Sequence, residues 1–528
     1  MQNFSLHNQT RRFLLSGVLA LTLGALSACG PSEPARKTDE RSAARHFVFG
    51  DTTFNNENQE PDVNPHNAYA GWATLRYGIG QTLFRYTDEL TIEPWLAESY
   101  RLIDPNTWKI VLKPGVTFSN GRNVTAQAVK ECLAHLISSH PRAAHDLQIA
   151  EMQAQGLELL IRTKRPRPTL MQSLSDPYAA IIDMQAGITP EGLVVGTGPY
   201  LASRLQTDNY VKLRRNPNYW NGTAGFESID VLTISDGDTL AFALQSGEID
   251  AAYGLPYASH PLFPQDRFTH TSTPTSRTFF LHFNFQSPLT QNPVIRKAVA
   301  MAVDKERFVQ NLLNGNGYIA QGPFPEQFDF SAGFAARAYD PAAAAALLEA
   351  DGWTDTDGDG IREKNGQQLK LRWLTYPSRQ ELPLLAEAVQ TSLKAVGIAV
   401  EITVTPDANR IRVQPQSWDI YASAMVTAPT GDPAYFFETH ALKNASANNG
   451  RYFNEELERL SEKLARTFDA AERNAIARRM QEILIDDDAF VFCSHLKMTM
   501  ISRKNIEGLK AHPTDFYEIT ERLHRKTP

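Results

Sequence analysis

Residues 418–452 gather side chains suited to holding a small polar ligand. The apolar run Ile420–Val426 reads as a buried strand. Pro429 ends it, because proline offers no amide hydrogen to a ladder. Asp432-Pro433 reads as a helix N-cap followed by proline at the first helical position. Beyond it lies a polar segment rich in Asn and Ser that carries His440, Asn449, Gly450, Arg451 and Tyr452. A buried strand that delivers such a loop to a helix start is a common ligand-site construction, and an ordinary strand–loop–helix joint has the same local features. A second candidate is the acidic loop 355–360. Asp355, Asp357, Asp359 and Gly360 match positions one, three, five and six of an EF-hand calcium loop, but the twelfth position is Gly366, which offers no carboxylate. A turn-rich hairpin before a strand at 369–374 accounts for the same residues. No spacing resembles a zinc site, a phosphate-cradling glycine loop or a nucleophile elbow, and no nucleophile–base pair stands out, which disfavours an enzyme.

These residues need a large framework. At 528 residues the chain is too long for one core and should divide into two or three domains. With 42% hydrophobic and 21% charged residues it has the balance of a soluble globular protein, and a net charge of −7 gives no basic footprint for nucleic acid. Cys132 and Cys493 could pair, but two distant thiols are weak evidence for a disulfide. At the N-terminus, Arg11-Arg12 precede an apolar run at 13–28 that ends in small residues, the pattern of an export signal too short for a membrane span. A generic secretory signal would read alike up to this point. Leu26-Ser27-Ala28-Cys29 resembles the lipobox of bacterial lipoproteins, which implies removal of 1–28, acylation of Cys29 and a lipid-anchored tether over 29–45. Residues 10–15 also resemble a twin-arginine export motif.

Past the tether, strand and helix signals alternate throughout. His46–Gly50, 83–86 and Thr107–Leu112 read as strands. Thr125 caps a helix running to about Ser139, and Asp340-Pro341 starts an alanine-rich one. An amphipathic helix at 294–303 should face Arg296 and Lys297 outward, and helices are expected at 455–466 and 471–485. Six pieces then occur in order: W-K-I-V-L-K-P-G-V-T-F-S-N-G (108–121), V-G-T-G-P-Y (195–200), R-R-N-P-N-Y-W-N-G (214–222), A-L-Q-S-G-E-I-D (243–250), V-I-R-K-A-V-A-M-A-V-D (294–304) and Y-D-P-A-A-A-A-A-L-L (339–348). Together they resemble the large bacterial solute-binding proteins of peptide, nickel and opine ABC importers, over roughly 46–520. The resemblance implies an α/β, two-lobed periplasmic-binding-protein fold closing about a hinge. Lobe I would comprise 46–275, with 84–195 as an extra subdomain, and the return segment 490–528; lobe II would be 276–489.

Within that family, 69–78, 361–366 and 428–433 look nearer the nickel and metallophore branch. The aspartate with which dipeptide binders hold an amino group falls at Pro429, and the nickel binders' pocket arginine falls at Asp176, within Leu174-Ser175-Asp176-Pro177. A tryptophan expected before the A-P pair has become Val426 or Thr427, and Arg142, Arg410, Arg412 or Arg451 could supply cationic contacts from elsewhere. Arginine forks and tyrosines suit the carboxylates of a metal chelate, and direct nickel ligation suits imidazole. His66, His440 and His495 are the candidate metal histidines, each with a structural hydrogen-bonding role as the alternative. The expected cleft sets Tyr69, Trp72, Arg76, Tyr77 and Arg142 against Thr427, His440, Asn449 and Arg451, with His495 at the hinge. These readings imply a monomer that delivers a small metal chelate, nickel foremost, to transmembrane permease subunits. It would be lipid-anchored in the periplasm or at the cell surface and have no prosthetic group. The alternatives are an oligopeptide or dipeptide receptor and a signalling or chaperone lipoprotein on the same fold.

Overall fold

The computed structural model describes residues 45–52, 62–67, 70–206, 210–331, 333–334 and 337–526. The expected signal, Cys29, most of the tether and Tyr69 lie outside them.

Two long antiparallel strands, Phe268–Phe283 and Phe490–Arg503, organise the rest. They sit in the middle of an eleven-stranded sheet. On one side Phe490–Arg503 pairs with Ala251–Tyr253, which leads through His46–Asp51, Ser228–Thr233 and Tyr210–Arg215 to Tyr200–Gln206. On the other side Phe268–Phe283 pairs with Ile420–Val426, followed by Lys370–Thr375 and Ala399–Val404. The ladder between the two long strands shifts register between Pro274 and Thr278. Proline has no amide hydrogen to give there, so pairing lapses and the sheet can bend. Each side of the break belongs to one of two α/β lobes.

In the second lobe, alternation along Phe268–Phe283 feeds two cores. Phe279 and Leu281 pack with the helices Pro293–Ala302 and Glu381–Lys394. Phe280 packs on the opposite face with Phe490, Phe492 and the helices Glu455–Leu464 and Ala470–Asp486. The first lobe carries a separate antiparallel sheet, ordered Ala97–Asp104, Thr107–Leu112, Glu158–Thr163, Ile149–Gln155. Helix Ala126–Ser139 covers it, and Thr125 caps that helix by accepting from the Ala128 amide at 3.2 Å.

Two local expectations need correction. Arg296 is buried rather than outward-facing, because its guanidinium donates to the carbonyls of Thr290 and Gln291 at 2.9 Å and of Asp487 at 3.0 Å. The last of these closes the C-terminus of Ala470–Asp486, where a cation is favoured. Asp432 stands one position before the N-cap, which is Pro433, although its carboxylate still accepts from the Ala434 amide at 2.9 Å. Cys132 and Cys493 are both buried free thiols, one in the helix Ala126–Ser139 and the other in the strand Phe490–Arg503.

Candidate functional site

A cavity of about 340 Å³ opens between the lobes. Thr52, Ser235 and Gly254 line it just past the carboxyl ends of three neighbouring strands of the first lobe, and Pro377 does so just past Lys370–Thr375 of the second. The three first-lobe strands run parallel to one another and Lys370–Thr375 runs parallel to both of its neighbours, and ligands of open α/β sheets lodge outside such carboxyl ends. Leu496, Met498 and Thr499 of the long strand are also in the lining. Gly254 has φ +87°, and a Cβ on it would run into Thr52, so the turn here requires glycine. The chemistry of the lining comes from Tyr257, Arg379 and Glu381. Tyr257 is fixed by donating to the Lys497 carbonyl at 2.8 Å.

Beside the cavity lies a buried ionic cluster. Arg277, on the long strand, meets Asp515 at 2.5 Å. Arg76 meets Asp51 at 3.2 Å, Asp515 at 3.4 Å and Glu518 at 3.7 Å, and its guanidinium lies 4.6 Å over the Tyr253 ring. Tyr77 donates to Asp51 at 2.9 Å. Burial lowers the Arg277 pKa, and neighbouring Arg379 adds to the effect. Asp515 is held between two guanidiniums, whereas Glu518 has the longest of these contacts. Burial therefore pushes Glu518 up to about 8 against the opposing pull of Arg76. The backbone is left-handed at Asp515 (φ +68°) and Tyr517 (φ +72°), strain that aims Asp515 at both arginines. Trp72 packs edge-on against Phe516 between them, with ring centroids 4.7 Å apart.

Arg142 bridges toward the second lobe. It pairs with Asp146 at 2.9 Å and Asp176 at 3.4 Å, and lies 5.2 Å over the Tyr435 ring. Asp176, where the resemblance implies an arginine, thus has a guanidinium beside it. Burial raises Asp176 to about 6, with Arg142 opposing. Tyr86 also joins the lobes, donating to the Thr430 carbonyl. Thr427 is buried and donates to the Ser276 carbonyl at 2.9 Å, which ties the 428–433 turn to the break in the long ladder.

The candidate histidines fall into different settings. His66 sits in the first lobe, its Nδ1 2.7 Å from His135 Nδ1 and its Nε2 3.6 Å from Cys132 Sγ. Burial, then His135, lowers its pKa to about 3. His495 shares a hydrogen bond of 2.9 Å with Thr278 Oγ1 through Nδ1, and burial, then Lys305, lowers it to about 3. His440 packs among Phe280, Phe436 and His282 at centroid distances of 5.4, 5.2 and 5.5 Å. Among the described residues neither of its ring nitrogens has a hydrogen-bond partner, and burial, then Arg412, brings it down to about 3. His282 itself bonds Ser423 Oγ at 3.1 Å, and burial holds it well below its usual value.

Asn449 and Arg451 are not with this group. Gly450 packs against Phe283, and Arg451 is exposed with φ +59°. Phe283 lies five residues past Thr278, about 16 Å along a strand. Arg410 is exposed and paired with Asp407, and half-buried Arg412 lies 5.3 Å over the Tyr421 ring. Sequence reasoning missed Tyr257, Arg379 and Glu381 in the lining and Arg277 in the cluster, because their meeting depends on the long strands and not on local spacing. His282 had a weak signal: it alternates with Phe280 on a run otherwise apolar.

Two α/β lobes joined by shared strands, with a lined cavity at the carboxyl ends of both, define a cleft-type solute-binding protein. Residues 91–448 match the family of bacterial extracellular solute-binding proteins, family 5 middle, and the chain belongs to it, a family that serves ABC importers. The nickel-binding protein NikA of Staphylococcus aureus is 25% identical over 449 residues, spanning 85% of this chain and 89% of the relative. The oligopeptide-binding protein AppA of Bacillus subtilis is 23% identical over 537 residues, spanning 97% and 98%. The crystal structure of S. aureus NikA in complex with Ni(L-His)2 has the same fold, with a TM-score of 0.81 at 23% identity over 91% of this chain and 100% of that one. Among the described residues no helix is long and apolar enough to cross a membrane.

Proposed function

We propose that this chain captures a small metal chelate, with nickel as the leading metal, and hands it to the permease subunits of its importer. The observation that carries the reading is the cavity of about 340 Å³ with Tyr257, Arg379 and Glu381 in its lining. Small-molecule sites occupy about 300–1,000 Å³, so this one suits a chelator of amino-acid size better than an extended peptide. The Arg379 guanidinium suits chelator carboxylates, and Glu381 suits an ammonium group. The nickel-binding relatives support the choice of metal. Arg76 and Tyr77 act one layer behind, holding Asp51 and Asp515 in place, while Trp72 braces the strained turn and Arg142 serves the approach between the lobes. None of the three candidate metal histidines lines the cavity: His66 and His495 are hydrogen-bonded elsewhere and His440 is enclosed among Phe280, Phe436 and His282, so the chelator rather than a protein imidazole is left to ligate the metal. Lobe I (46–275 with 490–528) and lobe II (276–489) close about the ladder break, as a lipid-anchored monomer attached through Cys29 outside the cytoplasmic membrane.

Calorimetry with nickel–histidine and with di- and tripeptides tests the reading. Nickel–histidine should bind, and Arg379→Ala should weaken it by the value of a charged hydrogen bond, about 1.5–3 kcal/mol. His440→Phe, away from the cavity lining, should leave it unchanged. Tight peptide binding with none of the nickel complex would instead assign an oligopeptide receptor, the function named for AppA.

A further inference from the structure

The acidic loop that precedes the strand Lys370–Thr375 is a built cluster of oxygens. Asp355 accepts from the amides of Gly358 at 2.7 Å and Gly360 at 3.0 Å, Asp357 from that of Asp359 at 3.1 Å, and Asp359 from that of Ile361 at 2.7 Å. These bonds curl the loop around its own carboxylates. The missing twelfth-position acid has a replacement at position nine. Ligand oxygens of Asp355, Asp357 and Glu363 all lie within 4.8 Å of one another. Calcium–oxygen bonds of about 2.3–2.6 Å put opposite ligands of one ion roughly 5 Å apart, so a single ion can reach all three.

A second observation points to a cation. Glu363 is drawn inward, where its Oε2 accepts from the Thr356 amide and hydroxyl, both at 2.9 Å. Its Oε1 is buried and accepts no hydrogen bond. A buried carboxylate oxygen facing two further carboxylates is costly unless a positive charge compensates it. The adjacent cations are turned elsewhere: Lys364 pairs with Asp351 at 3.0 Å, and Arg362 donates to the carbonyls of Trp353 at 2.8 Å and Val396 at 3.0 Å. Among the described residues no basic side chain pairs with Asp355, Asp357, Asp359 or Glu363.

We propose that Asp355, Asp357 and Glu363 bind one divalent cation of the calcium class, Ca²⁺ itself, with Asp359 at the rim. All the ligands are hard oxygens, which favours calcium over the softer nickel. The site is distinct from the cavity. It lies before the N-terminal end of Lys370–Thr375, whereas Pro377–Glu381 line the cavity past the other end, about 20 Å away along a six-residue strand. A bound ion would tie Asp355 and Asp357 to Glu363, at the start of the hairpin Glu363–Lys364/Gln367–Gln368. Its role is to staple this edge of the second lobe, independently of the transported ligand.

The chelator-treated chain should take up about one Ca²⁺ by calorimetry and show a raised melting temperature, with Mg²⁺ at least tenfold weaker. Terbium should bind in its place and be sensitised by the neighbouring Trp353. Glu363→Gln and Asp357→Asn, both near-isosteric, should each weaken Ca²⁺ at least tenfold, with circular dichroism reporting the fold of each variant. If one variant fails to fold, the other decides. No heat and no melting shift with millimolar Ca²⁺ in the unsubstituted chain, or unchanged affinity in a folded variant, overturns the proposal.

Discussion

The long strand Phe268–Phe283 separates two buried polar regions that solve the same problem in opposite ways. Near its break, Arg277 joins Arg76 in a cluster with Asp51, Asp515 and Glu518, where burial is tolerated because opposite charges touch. Farther along, Phe280 and His282 turn to a face where His440 is packed among rings and kept neutral. One region holds opposite charges together, with Glu518 kept protonated by burial; the other gives charge up. The first is consequently fragile to the loss of any one member, while the second tolerates apolar replacement.

The largest expected effect breaks the first region. Arg76→Met leaves the carboxylates of Asp51, Asp515 and Glu518 short of a cation and should cost about 3–5 kcal/mol, read from urea unfolding. His440→Phe should change stability by less than about 1 kcal/mol, since neither ring nitrogen is bonded. Equal costs for the two would erase the contrast.

Next in size is the response to pH, which should run in opposite directions. Glu518 is raised from 4.5 to about 8 on folding, so its contribution is present below about 4.5 and is lost as pH rises through 8. His440 is lowered from 6.5 to about 3, so its contribution is present above 6.5 and is lost as pH falls toward 3. Glu518→Gln should flatten the stability profile between pH 5 and 8, and His440→Phe between pH 6.5 and 4, by about 1.4 kcal/mol per pH unit at most. A flattening on the wrong side of either window would refute the assignment of that slope.

The smallest effect sharpens the comparison at the lobe boundary, where Arg142 is only partly buried. A double-mutant cycle of Arg142→Gln and Tyr435→Leu should give a coupling of about 0.5–1 kcal/mol, the value of a partly solvated cation–π contact. A coupling as large as the Arg76 effect would make this contact a buried lock instead.

Local grammar was legible. Ile420–Val426 is a strand over the expected residues, and Asp340 caps the alanine-rich helix Pro341–Ala350 by accepting from the Ala343 amide at 2.8 Å. In the V-G-T-G-P-Y piece the glycine is required by contact: a Cβ on Gly198 would overlap the Gly78 carbonyl. What stayed hidden was pairing through space. Arg76 and Asp515 are separated by 439 positions, and neither carries a local sign of the other. Arg296 looked solvent-facing by helical spacing because its acceptors belong to other segments. The acidic loop was measured against a twelve-residue template, while the third carboxylate stands at Glu363, nine positions in. Of the candidate site, the strand–turn frame was readable and the cavity lining was not.

The sharing of Phe490–Arg503 also sets the order in which this molecule can come together. Its later half pairs with Ala251–Tyr253 and its earlier half with Phe279–His282, so one late segment completes the sheets of both lobes. A nascent chain that stops short of residue 490 has two sheets with bare edges and neither finished. Closure then depends on contacts of very long sequence separation, which form slowly. Trimming the C-terminus would therefore remove no mere appendage; it would take a wall from each lobe at once.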